Sequence, residues 1–228
     1  ESLLNKNLLR RIEGSTGEPR FVMLEMIHEY ARERLEASGE AEDLQRRHAE
    51  YFLALAERAA PELRGARHQD WLVRLRAEQD NLRAALAWSL GEGEAELGLQ
   101  LVAALRDLWH YGGYSAEGLE WTKRALDSAK DAPPDVRAGA LNAAGRLASD
   151  QGDHENGKVY NRDALALYRA MGDEVGEAWG LVFLSAHTLA SPGECKEGIR
   201  LGEEGLELFR KLGEKAGIFA ALNDLGEL

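Results

Sequence analysis

Gly152-Asp153-His154-Glu155-Asn156-Gly157 recurs 41 residues later as Gly193-Glu194-Cys195-Lys196-Glu197-Gly198. The apolar stretch behind it repeats with the same offset. Leu165-Ala166-Leu167-Tyr168-Arg169-Ala170-Met171-Gly172 returns as Leu206-Glu207-Leu208-Phe209-Arg210-Lys211-Leu212-Gly213. A fixed period of this size means stacked helical hairpins, because one hairpin cannot bury its apolar face alone. Aligned backwards, Gly113, Gly118, Ala125 and Leu126 match Gly152, Gly157, Ala164 and Leu165 at an offset of 39. The first glycine of each pair is expected to turn the chain between helices, and the second to sit where two helices cross closely. The fold expected is all-α: a right-handed superhelix of helical hairpins, which is the architecture of a binding scaffold.

Working outward, hydrophobic spacing predicts helix pairs at 97–111 with 115–130, 135–150 with 154–171, and 174–190 with 195–212. A last helix starts near 215. Upstream, 68–90 reads as one amphipathic helix stopped by Gly91-Glu92-Gly93. A helix over 41–60 carries the stripe Leu44, His48, Tyr51, Phe52, Leu55 and Ala59 and is closed by Pro61. A helix over 25–37 presents Met26, Ile27, Tyr30, Ala31 and Leu35 on one face. Before it, 7–12 and 20–24 read as two short strands around the turn-forming stretch Glu13 to Pro19, a β-hairpin of the wing type. The domain organisation expected is therefore 1–40, then a helical hairpin over 41–96, then about three and a half repeats over 97–228.

Composition narrows the function classes. The chain has 228 residues and a net charge of −12, with both halves acidic. Such a field repels phosphate backbones and disfavours broad nucleic-acid binding. The basic cluster of note is the hairpin with Arg10, Arg11 and Arg20. One cysteine, Cys195, excludes an internal disulfide and fits a reducing, cytoplasmic compartment. No apolar run reaches the ~18–20 residues that span a bilayer, so no membrane is expected. The opening at Glu1 and the stop inside Gly226-Glu227-Leu228 are read as marking a fragment of a longer protein.

Motifs for chemistry are missing. There is no G-x-x-x-x-G-K-[ST] loop for phosphates. Gly113-Tyr114-Ser115-Ala116-Glu117 comes near a nucleophile elbow, but it ends in Glu and lies between helices rather than after a strand. The six histidines show no metal-ligand spacing, and His28 and His48 read as packed groups near apolar stripes. No catalytic residue, no metal and no cofactor is expected in this chain.

The repeats resemble the tetratricopeptide repeat. Gly145, Gly152, Gly157 and Ala164 occupy its small-residue positions, with Leu141 and Ala148 as packing positions. The chain departs from the pattern at Asn161, where the family has an aromatic, at Ser185 and Gly205, and in a period longer than about 34. The N-terminal ninety residues sharpen the resemblance. Ser2 to Leu9 and Arg20-Phe21-Val22-Met23-Leu24-Glu25-Met26-Ile27-His28-Glu29-Tyr30-Ala31 look like the end of a winged-helix domain. His48-Ala49-Glu50-Tyr51-Phe52 and Glu78-Gln79-Asp80-Asn81-Leu82-Arg83-Ala84-Ala85-Leu86-Ala87-Trp88 look like the linker that follows it. Both are similar to segments of STAND-class (NB-ARC-like, MalT-related) bacterial signal-transduction ATPases.

That resemblance implies a non-enzymatic sensor arm that holds an attached ATPase off until an effector binds. ATP and magnesium would belong to the ATPase module alone, which is also an intramolecular partner. In the family the first helix of each repeat lines the concave face. Carried over, this makes Asp107, His110, Tyr111, Asn142, Arg146, Asp150, Trp179, Val182 and Asn223 candidates to contact a protein, peptide or small effector, with Ser149 and Ala186 beside them. Arg146 could clamp a carboxylate or phosphate. The alternative is a constitutive assembly scaffold with no small-molecule effector.

Overall fold

Glycine at the end of a helix lets the backbone enter the left-handed region and reverse, and here it does so in the turn inside each hairpin. Gly113, Gly152 and Gly193 have φ of 80°, 78° and 83°, each between the two helices of a hairpin. The computed structural model describes residues 2–14, 19–91, 94–189 and 193–226. Its elements are α1 (Ser2–Asn5), β1 (Arg10–Glu13), β2 (Pro19–Val22), α2 (Glu25–Ser38), α3 (Ala41–Glu62), α4 (His68–Ala77) and α5 (Gln79–Gly91). Then follow α6 (Ala95–Gly112), α7 (Ser115–Ser128), α8 (Pro134–Asp150), α9 (His154–Met171), α10 (Glu174–Leu189), α11 (Cys195–Leu212) and α12 (Lys215–Gly226). The chain is all-α apart from one antiparallel hairpin, in which Arg10 pairs with Val22 and Glu13 with Pro19.

The hairpins α6–α7, α8–α9 and α10–α11 pack in sequence, each first helix also touching the next hairpin's first helix or the previous one's second. Gly118 shows why the crossing needs glycine. A Cβ there would lie 2.5 Å from the Trp109 ring. Asp153 caps α9 by accepting from the Asn156 N–H. Pro133 and Pro134 start α8, where a missing N–H costs nothing. A continuous core runs from Ala49 and Phe52 on α3 through Leu86, Leu105 and Trp109 to Leu147 and Ala164. A second cluster joins Ala178, Val182, Leu206, Phe209 and Ala221.

Several expectations from the sequence need correction. The strand expected from Asn7 begins only at Arg10, because Asn7 takes a left-handed φ of 55°. The stripe on α2 is not a buried face: no residue of α2 is buried, and Met26 is 81% and Tyr30 62% exposed. His28 is exposed as well. On α3, Phe52, Leu55 and Ala59 are buried as expected, whereas Leu44 and Tyr51 are exposed. Pro61 lies inside the last turn rather than beyond it. The helix expected over 68–90 is two helices, broken at Glu78 with ψ of 8°. Glu78 has tertiary business: Arg20 of β2 donates to its carboxylate at 2.5 Å, and Asn81 Nδ2 donates to the other oxygen at 2.6 Å. The turn at 15–18, the Glu92-Gly93 stop, Pro192 and the final Glu227-Leu228 lie outside the described residues.

Candidate functional site

Trp179, Val182, Phe183, Ala186 and His187 follow one another on α10 at spacings of three and four, so they share one face of that helix. That face lines a cavity of about 570 Å³. Asp107, His110 and Tyr111 reach it from α6, Arg146 from α8, and Lys215, Phe219 and Asn223 from α12. Arg64, in the loop after α3, and Arg106 complete one wall.

Asp107 anchors that wall. Its side chain is buried, and it accepts from Arg64 Nε at 2.6 Å and from Arg106 Nε at 3.1 Å. Burial opposes its ionisation. The positive charges of Arg106 and Arg64, with their hydrogen bonds, outweigh that and hold the carboxyl at about 2. Both guanidinium groups then lie over rings of α10: Arg106 is 5.2 Å from the Phe183 centroid and Arg64 is 5.8 Å from that of Trp179. Trp179 itself stacks on Phe183 at 5.4 Å and meets the edge of Phe209 at 5.0 Å.

A second polar group lies across the cavity. Asp150 Oδ2 accepts from the Ser115 hydroxyl at 2.8 Å and faces His110 Nδ1 at 2.8 Å. Arg146 Nη2 approaches His110 Nε2 at 2.5 Å. A carboxylate only accepts and a guanidinium only donates, so the proton of a neutral His110 sits on Nδ1. Burial disfavours the Asp150 anion, but hydrogen bonds from His110 and Ser115 and the charge of Arg146 lower its pKa. Among the described residues the Ser115 hydroxyl meets Trp109 O and Asp150 rather than an imidazole nitrogen, so the order of groups that activates a serine nucleophile is not formed among them. Deeper in, His187 is buried, and burial, followed by repulsion from His154 and Arg146, lowers its pKa to about 4.

Of the residues that the repeat frame assigned to the concave face, Asp107, His110, Tyr111, Arg146, Trp179, Val182, Ala186 and Asn223 border this cavity. Asn142 does not. It is buried, and its Nδ2 donates to the Tyr168 hydroxyl at 3.1 Å. Asp150 stands behind His110 and Arg146, and Ser149 pairs with His154. The frame missed Phe183 and His187, although their spacing from Trp179 was legible. It also missed Arg64, Lys215 and Phe219. Arg64 lies before the repeats and the other two on the incomplete last one, so no repeat position pointed to them.

The arrangement can hold a molecule without covalent chemistry: aromatic faces for an apolar body, and guanidinium and ammonium groups for charge. Among the described residues no group of three His, Cys, Asp or Glu side chains is arranged to hold a metal ion. Among the same residues no helix is long and apolar enough to cross a membrane. Cys195 is exposed at the start of α11.

This is thus an all-helical hairpin protein with a cationic, aromatic-walled cavity between its hairpins. No family model matches the chain. Over 210 residues, 92% of its length, it is 34% identical to Rv0890c of Mycobacterium tuberculosis and to Mb0914c of Mycobacterium bovis, both provisionally named HTH-type transcriptional regulators. Over 98 residues, 42% of its length, it is 35% identical to the regulatory protein AfsR of Streptomyces griseus and covers 10% of that protein. The chain spans about a fifth of the length of the mycobacterial relatives it matches.

Proposed function

We propose that this chain is the non-enzymatic sensor and interaction region of a STAND-like bacterial transcription regulator. Its hairpins would wind as a right-handed superhelix of tetratricopeptide type over 97–228. Residues 1–40 would close a winged-helix domain and 41–96 would link the two. The observation that carries the reading is the composition of the cavity wall. Arg64 from the linker, α6, α8, α10 and α12 all contribute to it. An occupant therefore touches both the arm and the linker.

The mechanism follows from that geometry. Binding that favours one curvature of the arm changes the contact of Arg64 with Trp179 and Asp107, and so the set of α3 and α4 against α6. An occupant must bind one curvature more tightly than the other, or it shifts nothing. The apolar side chains of Leu24, Met26 and Tyr30, exposed on and before α2, are where the attached ATPase module would pack. That module would carry any ATP and magnesium. The protein would act in the cytoplasm, with protein or small-molecule partners rather than nucleic acid at this region.

The test is a thermal-shift screen of the chain against metabolites and peptides, followed by calorimetry on each hit. Saturable binding lost in Trp179→Ala and Arg146→Ala supports an effector groove. Hits that both variants retain would place binding elsewhere and end the groove assignment.

A further inference from the structure

We propose that the cavity is selective for a small organic anion, a carboxylate or phosphate carried on a flat aromatic body. The inference rests on the groove reading above and specifies its occupant.

Three observations carry it. First, the charge balance of the cavity runs against that of the chain. Arg64, Arg106, Arg146 and Lys215 border it, against the carboxylates of Asp107 and Asp224, with Asp150 behind. The protein as a whole carries −12. Cations gathered in a partly desolvated cleft raise the local concentration of anions. Second, not all of these cations are neutralised internally. Arg64 and Arg106 share one carboxylate, Asp107. Arg146 shares Asp150 with His110 and Ser115 and keeps 42% of its side chain exposed. Lys215 makes no ion pair among the described residues. Third, Lys215, Phe219 and Asn223 recur every four residues on α12 and line the cavity together. Phe219 is 75% exposed, so an aromatic face stands uncovered one turn from an unpaired ammonium. Trp179 and Phe183 stand on α10 as a second aromatic wall.

Size favours a small molecule over an extended peptide. The cavity volume of about 570 Å³ falls within the range of small-molecule pockets, roughly 300–1,000 Å³. Carboxylate and phosphate both suit guanidinium and ammonium donors, so the test separates them.

The experiment is calorimetry on this chain with indole-3-carboxylate and adenosine 5′-monophosphate as probes. Indole-3-carboxamide and adenosine are their neutral counterparts, and an acidic hexapeptide is the macromolecular control. At least one charged probe is expected to bind about tenfold or more tightly than its neutral partner, and to weaken as salt rises. Lys215→Gln, at an exposed side chain without an ion pair, should remove most of that preference while the circular dichroism stays unchanged. Arg146→Gln should do the same. Whichever charged probe binds identifies the headgroup. Equal binding of charged and neutral probes, with loss of both in Trp179→Leu, would overturn the anion assignment and leave the groove reading intact. Preference for the peptide, or no binding below millimolar, would also overturn it. A charged probe whose binding survives all three substitutions would overturn the groove reading itself.

Discussion

Arg64 and Trp179 meet across the cavity: the guanidinium carbon of one lies 5.8 Å from the ring centroid of the other. One belongs to the loop after α3 and the other to α10, so the contact joins the segment before the hairpins to the third hairpin. A guanidinium over indole contributes about 0.5–1 kcal/mol at a partly exposed site. A double-mutant cycle of Arg64→Ala and Trp179→Ala, read by chemical denaturation, should give a coupling energy of that size. A coupling of zero would mean that the two groups are neighbours without an energetic link, and the proposed route from the cavity to α3 and α4 would lose its first step.

Asp107 holds two arginines at once, and its removal is not neutral. Asp107→Asn leaves Arg64 and Arg106 without their shared anion in a buried wall. Breaking such a buried pair costs about 3–5 kcal/mol at full burial, and less here, because Arg64 is partly exposed. The expected loss is about 2–3 kcal/mol by urea denaturation. The carboxyl is held at about 2 in the folded state against an ordinary 3.8. Its contribution is therefore complete above pH 4 and is lost as the pH falls toward 2. Wild type and Asp107→Asn should converge in stability at the acid end of that window. A gap that persists unchanged to pH 2 would show that packing, not charge, accounts for the loss.

The sequence was most legible where local chemistry terminates an element. The boundaries expected for α9 and α11 coincide with those observed, because a glycine in the left-handed region stands on both sides of each. It was least legible where a distant residue decides. The break at Glu78 coincides with its hydrogen bond from Arg20 of β2, 58 residues away, and no window of helical periodicity contains that partner. The stripe on α2 has helical spacing, but spacing says only which residues share a face, not whether another element covers it. The cavity divides in the same way. Asp107 and Arg146 stand at equivalent places in successive hairpins, 39 residues apart, and His110 and Trp179 lie on the same set of first helices, so all four could be found by superposing the repeats. Arg64 and Phe219 could not, because one precedes the repeats and the other follows the last complete one.

His187 makes stability depend on pH in a range where the Asp107 carboxyl stays ionised. Burial keeps it neutral in the folded chain down to about 4, whereas an unfolded histidine protonates near 6.5. Between those values the unfolded state binds more protons, so stability is full above pH 6.5 and declines as the pH falls to 4. The decline attributable to this one group is on the order of 3 kcal/mol. Melting temperatures measured from pH 7 to pH 4 should fall in the wild type and fall less steeply in His187→Leu. Parallel curves for the two proteins would assign the acid sensitivity to other groups.

Asn161 stands where the tetratricopeptide pattern places an aromatic ring, and the reason is spatial. A Cβ on Gly145 would lie 2.5 Å from Asn161 Oδ1, so α8 and α9 leave no room for a larger group at the crossing. The fit has a cost. Asn161 is fully buried, and neither its Oδ1 nor its Nδ2 has a hydrogen-bond partner. A buried polar group without a partner costs about 1–3 kcal/mol. Leucine keeps the branched skeleton and has no polar atoms, but its methyl groups are bulkier than the planar amide. Relief of the unsatisfied amide and overpacking therefore oppose each other, and Asn161→Leu should change stability by less than about 1 kcal/mol. Asn161→Tyr, which introduces the ring of the tetratricopeptide pattern, should instead destabilise the protein by about 1–3 kcal/mol, because the ring has to displace the Gly145 backbone. Denaturation midpoints of the two variants separate size from polarity. A loss in Asn161→Leu well beyond about 1 kcal/mol would point to an amide satisfied by an ordered water, which high-resolution crystallography of the crossing would show.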